Sequence, residues 1–237
     1  MSDHWIMHKS KKPILFLLFF LLLFVFQSCK KETLTVPPVS LNYFPTEIGA
    51  WVTYSVDSIY HAENDNLNDD SVYYSHSEIK EEIDSSFIDG SGQTVQVINR
   101  YYRIDPSNDW SIINVWTQYL TPYSAYRIEN NIPLHKLAFP INEDISWNGN
   151  DANSEDEEIY SYEYFHEQGS IGGLSFDSTL SVIHMDEDNY IERIYRNEIY
   201  AAGVGLIYRQ QDVLGKINGI IVSGYEIRTT VIDYGKD

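Results

Sequence analysis

The amino-acid sequence predicts an all-β fold, a single antiparallel meander curling into a barrel, half-barrel or sandwich. Three observations predict it. From Trp51 onward, apolar residues recur with period two far more often than with period 3.6. Short clusters of glycine, asparagine and aspartate separate these alternating runs. Nineteen tyrosines and five tryptophans supply side chains that suit a pleated, half-buried surface. The spacing of the turn signals gives about ten strands, and no internal repeat of fixed period is present.

The first run, WVTYSVDSIY at 51–60, places Val52, Tyr54 and Val56 on one face, the expected core side. Pro45 and Gly49 punctuate the chain just before it. After the polar loop HAENDNLNDD, the runs SVYYSHSEIKEEIDSSFI and QTVQVINRYYRI flank the turn DGSG at 89–92, a glycine-bearing hairpin. WSIINVWTQYL, SAYRIEN and IPLHKLAF follow, with Asn130-Asn131 as a tight reversal because asparagine tolerates positive φ. Pro140 and NEDISWNGNDANSEDEE interrupt the order. IYSYEYFHEQGSI, LSFDSTLSVIHMD, YIERIYRNEIYAA, GLIYRQQDVL and GIIVSGYEIRTTVI complete the series. Of these, NYIERIYRNEIYAAG at 189–203 reads equally as helix or strand. Gly203 and Gly205 around Val204 read as a bend between strands, since AAGVGLI lacks the third glycine and the Lys-Ser/Thr of a phosphate loop.

Ahead of this body, Lys9, Lys11 and Lys12 precede an uninterrupted apolar run from Ile14 to Phe26. That is the layout of an export signal, and it is too short for a comfortable membrane-spanning helix. The run ends at V-F-Q-S-C, with Ser28 before Cys29, the chain's one cysteine. This ending resembles a bacterial lipoprotein signal peptide. The resemblance implies cleavage before Cys29 and acylation of its thiol, and two or three acyl chains hold a protein stably at a membrane. The alternatives are an uncleaved signal anchor and an ordinary secretory signal leaving a free thiol, which has no second cysteine to pair with. Lys30 follows the cysteine where an aspartate would imply inner-membrane retention, so the resemblance implies the outer membrane, on either face. The expected division is therefore a signal peptide at 1–28, a lipidated tether at 29–40 containing Pro37-Pro38, and a β-rich domain at 41–237.

Two stretches of the body carry a second resemblance: YFPTEIGAWVTYSV, Tyr43 to Val56, and YAAGVGLIYR, Tyr200 to Arg209. Together they resemble a broad set of bacterial, often Bacteroidota, cell-envelope lipoproteins that open with Tyr-Phe/Trp-Pro, Gly and Trp-x-x-Tyr and close with Tyr-Ala-x-Gly-Val-Gly-Leu. Functions in that set are mostly unassigned, so the resemblance implies an address and a fold rather than a chemistry.

Charge excludes one class of partner. Removing residues 1–28 takes away three lysines and one aspartate and moves the net charge from −19 to −21. Such a body repels nucleic acid, whose binding rests on cationic contacts to phosphates. His61, His76, His135, His166 and His184 have no metal-ligand spacing, and no metal or other cofactor is expected. No Gly-x-Ser-x-Gly elbow occurs; Ser91 and Ser170 sit in glycine turns. In DANSEDEEIYSYE, Asp151, Asn153 and Glu155 alternate as in a calcium loop, but Asp156 and Tyr162 replace the required glycine and glutamate.

The aromatics offer a binding hypothesis. Trp110, Trp116, Tyr119, Tyr123 and Tyr126 fall within seventeen residues and could line a concave sheet that stacks on a glycan or grips a lipid-like ligand. Core and cross-strand packing is the plainer use of the same rings. The functional reading is a non-enzymatic outer-membrane lipoprotein, anchored by lipid, whose domain binds or scaffolds an envelope protein or a glycan. A hydrolase with a carboxylate pair is the competing class.

Overall fold

Twelve strands, β1 to β12, pair in one antiparallel sheet; residues 41–63 and 71–237 are described in the computed structural model. The signal peptide, Cys29 and the tether lie outside the described residues, as does 64–70 of the first polar loop. The strands are β1 Ala50–His61, β2 Val72–Ile88, β3 Thr94–Arg103, β4 Ser111–Leu120, β5 Ser124–Glu129 and β6 Ile132–Ala138. The second half comprises β7 Ser146–Asn148, β8 Ile159–Ile171, β9 Leu174–Asp188, β10 Glu192–Ala201, β11 Gly205–Ile217 and β12 Ile220–Lys236.

Every strand pairs with its sequence neighbours except at two places. β1 pairs with β12, Trp51 opposite Gly235 and Tyr60 opposite Tyr225, which joins the two ends of the domain. β6 and β7 share no ladder, so the meander curls into a nearly closed barrel with its seam in mid-chain. The seam is tied by one backbone bond, His135 N–H to the Gly149 carbonyl at 2.9 Å, and by the Trp147 indole N–H donating to the His135 carbonyl at 2.9 Å.

The local signals act as the sequence predicts. Asp89 holds the DGSG turn by accepting from the backbone N–H of Ser91 at 2.8 Å and of Gln93 at 2.9 Å. Asn130 and Asn131 both adopt positive φ, 53° and 68°, as a two-residue hairpin turn between twisted strands requires. The stretch 189–203 resolves as strand: its Arg193–Ala201 portion pairs with β9 on one side and its Glu192–Ala201 portion with β11 on the other. Sheet pairing on both sides overrides the local helical pattern. Twelve strands form rather than about ten; one addition is β7, three residues inside the polar run 142–158.

Because the chain runs up and down, alternate turns fall at opposite ends of the barrel. The domain begins at Leu41 and ends at Asp237 at one end, the tether end. The β1–β2, β5–β6 and β7–β8 connections lie at the far end.

At the tether end, a single turn of 3₁₀ helix, Leu41–Tyr43, carries Tyr43 and Phe44 into the core, where both are almost wholly buried. They join Leu137, Phe139, Trp147, Tyr162, Leu180 and Tyr200 in the main apolar cluster. Fully burying side chains of this size stabilises by roughly 1.5–3 kcal/mol each. The two sequence stretches that frame the domain meet here. The Gly203 N–H donates to the Asn42 carbonyl at 2.8 Å, and a Cβ on Gly205, at φ +96°, would lie 2.9 Å from Pro45. A second apolar cluster forms where the β8–β9 turn presses on β12. At Gly172, φ +62°, a Cβ would sit 1.8 Å from the Val231 carbonyl oxygen. Phe176, Ile207 and Val231 pack beneath it with Tyr54.

Candidate functional site

Along several strands some of the residues turned inward are charged. On β6, Ile132, Leu134 and Lys136 share one face; on β10, Arg196 and Glu198 do; on β11, Arg209 and Gln211 do. These positions, with Glu129 at the end of β5, Glu158, Tyr160 and His184, line a cavity of about 390 Å³ near the far end of the barrel. That volume falls within the ordinary range for small-molecule sites. A second cleft, about 560 Å³, lies at the tether end against Leu41, Phe44, Leu120 and Tyr234.

Glu198 is the hub of the far-end cavity. Lys136 Nζ donates to its Oε1 at 2.6 Å, Arg209 Nε donates to the same oxygen at 2.7 Å, and the Tyr200 hydroxyl donates to Oε2 at 2.5 Å. Arg209 continues to Glu129 through Nη2 at 3.0 Å and Nη1 at 3.4 Å. The Lys136 and Glu198 side chains are only 4% and 2% exposed. Desolvation opposes ionisation of both carboxyls, and the surrounding cations outweigh it. Burial pushes the Glu129 carboxyl up, but Arg209 and Lys136 bring it down to about 2. Burial also pushes Glu198 up, and Lys136 and Arg209 hold it well below the usual carboxylate range. The Tyr200 hydroxyl is driven far above its ordinary range, first by burial and then by the Glu198 charge. It stays protonated and donates.

His184 sits beside this hub with its ring flat against Tyr160, centroids 3.8 Å apart and planes 7° from parallel. Its Nε2 lies 3.5 Å from Glu198 Oε2, is buried, and makes no hydrogen bond. Burial lowers the imidazole pKa more than the nearby carboxylate raises it, so the ring is neutral at physiological pH. Gly149 makes room for the stack, since a Cβ there would lie 2.1 Å from Tyr160 Cζ. Nearer the opening, Arg196 Nη1 donates to both oxygens of Glu158, at 3.0 and 3.1 Å.

A second inward network lies on the other side of the barrel and carries no cavity of comparable size. Arg100 Nε donates to Glu81 at 2.8 Å, Arg127 Nη1 to Glu81 at 3.0 Å, Arg127 Nη2 to Gln118 at 2.9 Å, and Gln118 Nε2 to the Pro45 carbonyl at 2.6 Å. It ties β2, β3, β4 and β5 to the segment that fills the tether end.

The five aromatics singled out in the sequence are distributed rather than gathered. Trp116 is buried with Ile83 and Ile98, its ring 3.5 Å beneath the Arg100 guanidinium. Trp110 lies under Arg103 at 4.2 Å. Tyr119 and Tyr126 stack at 4.9 Å on the face of β4 and β5 opposite Gln118 and Arg127, and Tyr126 continues onto His135 at 4.6 Å. Tyr123 is 73% exposed in the β4–β5 turn. None of the five lines the far-end cavity. In the acidic loop, Asp151 accepts from the Tyr126 hydroxyl at 3.2 Å and engages His135 Nδ1 at 2.9 Å, while Asn153 donates to the Pro133 carbonyl at 2.8 Å. These side chains brace the loop against β5 and β6 instead of converging on one point. Among the described residues no three metal-ligating side chains come together.

Sequence reasoning missed the residues that do line the cavity. Glu129, Lys136, Glu198 and Arg209 are spread over eighty residues and carry no motif spacing. In a period-two pattern a charged position reads as the solvent side. The one available signal was Arg209, the last residue of YAAGVGLIYR.

No protein-family model matches the sequence, and no curated protein matches it. Among solved structures, the chain is similar to a candidate lipoprotein from Parabacteroides distasonis ATCC 8503. The TM-score is 0.40 and the identity 13%, over 81% of this chain and 98% of that one. It is also similar to a candidate exported protein with a YmcC-like fold from Bacteroides fragilis NCTC 9343, with a TM-score of 0.41 and 11% identity over the same shares.

Proposed function

We propose that this chain is a non-enzymatic binding module of the cell envelope, held at the outer membrane by lipid on Cys29, which takes a small polar ligand into the far-end cavity. One observation carries the reading: the Lys136 and Glu198 side chains are only 4% and 2% exposed against a cavity of about 390 Å³. Buried ion pairs are poor stabilisers, because desolvation cancels most of the Coulombic gain and apolar side chains of similar volume often serve as well. Charges kept in a barrel interior beside open space are accounted for by what enters that space.

Binding is favoured over hydrolysis by the same network. Glycosidic cleavage needs one carboxyl that holds a proton near neutrality. Of the cavity's carboxyls, Glu129 and Glu198 are held ionised, so neither serves as that acid. A second reading, docking of another envelope protein, draws on Tyr73 and Tyr74, exposed at the far end beside the first polar loop.

The test is to fill the cavity. Leu134 lines it without joining the charge network, so Leu134→Trp obstructs the space and leaves the ion pairs in place. Small polar compounds are screened for a rise in melting temperature of the full chain. The expected result is at least one compound that stabilises the native chain and not the variant. Equal shifts in both, or none in either, would remove the cavity reading.

A further inference from the structure

Resting on that reading, we infer that the ligand is electrically neutral and rich in hydroxyl groups, a saccharide unit of one or two rings. The inference comes from how completely the cavity's charges are already spent on one another. Each inward cation faces a carboxylate: Lys136 and Arg209 share Glu198 at 2.6 and 2.7 Å, Arg209 holds Glu129 at 3.0 Å, and Arg196 holds Glu158 through both oxygens. Lys136, Arg196 and Arg209 thus balance Glu129, Glu158 and Glu198, while Glu155, the fourth carboxylate of the lining, is exposed to water. An anionic ligand entering here gives up its water and finds no cation free to replace it. A cationic ligand meets the same difficulty with the paired carboxylates, and the one left over, Glu155, is exposed and already solvated.

What remains available is hydrogen-bonding capacity of both kinds, closely interleaved. Arg196 uses only Nη1 on Glu158, leaving donors on Nε and Nη2; an ammonium has three donors, and the Lys136 Nζ spends one on Glu198 at 2.6 Å. Carboxylate oxygens accept more than one bond each. A hydroxyl group donates and accepts together, so a polyol matches such a wall without disturbing its ion pairs. The cavity also has an apolar strip, Ile132 and Leu134, on the strand face that carries Lys136. A pyranose ring presents a matching pair of surfaces, hydroxyls at its edge and C–H bonds on its face.

The experiment is calorimetric titration of the full chain in a detergent without a sugar headgroup. The neutral probes are glucose, galactose, maltose and lactose; the charged probes are glucuronate, galacturonate and glucosamine. Dextran, which offers the same neutral ring at a chain end, separates a free-sugar site from a glycan-end site. At least one neutral sugar is expected to bind, with its charged counterpart at least tenfold weaker. Gln211→Ala, which removes a wall amide outside the ion pairs, should weaken that binding about fivefold. Glu158→Gln frees the Arg196 guanidinium and should move preference toward glucuronate by tenfold or more. A charged sugar binding the native chain as tightly as the neutral ones, or a Glu158→Gln variant with unchanged preference, overturns the ligand class and leaves the cavity as a site. No binding by any probe, with no compound stabilising the native chain selectively over Leu134→Trp, overturns the site itself.

Discussion

Lys136 on β6 and Glu198 on β10 are 62 residues apart in the chain and meet at 2.6 Å inside the barrel, across the side where the sheet is left unsealed between β6 and β7. The contact therefore bridges the seam as well as lining the cavity. Removing one partner leaves the other only partly compensated, Glu198 by Arg209 at 2.7 Å and Lys136 by Glu129 at 3.8 Å, at a cost of up to about 3–5 kcal/mol. Lys136→Met and Glu198→Gln should each destabilise the fold by roughly that amount. The double variant should lose much less than their sum, since no charge of the pair is then stranded. Denaturant unfolding of the four proteins measures this coupling.

The barrel should lose stability on acidification in two stages. His184 is buried and its folded pKa lies below the ordinary 6.5, so the unfolded chain takes up its proton first. Its contribution is fully present above pH 6.5 and is lost as pH falls from there toward the folded value. His184→Phe keeps a ring against Tyr160 and should flatten that part of the curve. Glu129, at about 2 folded against 4.5 ordinarily, contributes stability above pH 4.5 that disappears as pH falls toward 2. Melting temperature against pH for both proteins checks the sign and the window.

Two glycines bear on the packing of the tether end and of the second cluster. Gly205→Ala forces a side chain into positive φ and against Pro45 and should cost about 1–3 kcal/mol. Gly172→Ala meets the Val231 carbonyl as well as the same backbone strain, with no flexible atom to move aside, and should cost more. Gly219, at φ +82° with open space around it, provides the comparison with backbone strain alone. Chemical denaturation should rank Gly172→Ala as the most damaging of the three and Gly219→Ala as the least.

The lipid anchor is tested separately from the barrel. Growth with a fatty-acid analogue should label the native chain and leave Cys29→Ala unlabelled and in the soluble fraction. Intact mass of the native protein should lack residues 1–28.

The strand order and most turns were legible because their signals are local. Asp89, Asn130-Asn131 and Gly203-Gly205 specify reversals through their own backbone chemistry, and alternation between them specifies strands. β7 was hidden because three residues in a polar run give no period. The 189–203 stretch was ambiguous because only its neighbours, β9 and β11, decide it. The cavity was illegible for a different reason. ERIYRNEIYA looks like a strand whose charged positions face water, whereas Arg196 and Glu198 face the barrel interior, where Glu158, just before β8, and partners on β6 and β11 neutralise them. Alternation fixes which residues share a face; it does not say which face is wet.

Whether the buried charges surround a ligand or merely brace the wall is decided by amide chemical-shift mapping of the full chain during titration with the tightest neutral saccharide. The predicted result is saturable shifts confined to Glu129–Lys136, Glu158–Tyr160, Arg196–Glu198 and Arg209–Gln211. Shifts clustered at Tyr119, Tyr123 and Tyr126, at the tether-end cleft, or nowhere would contradict it.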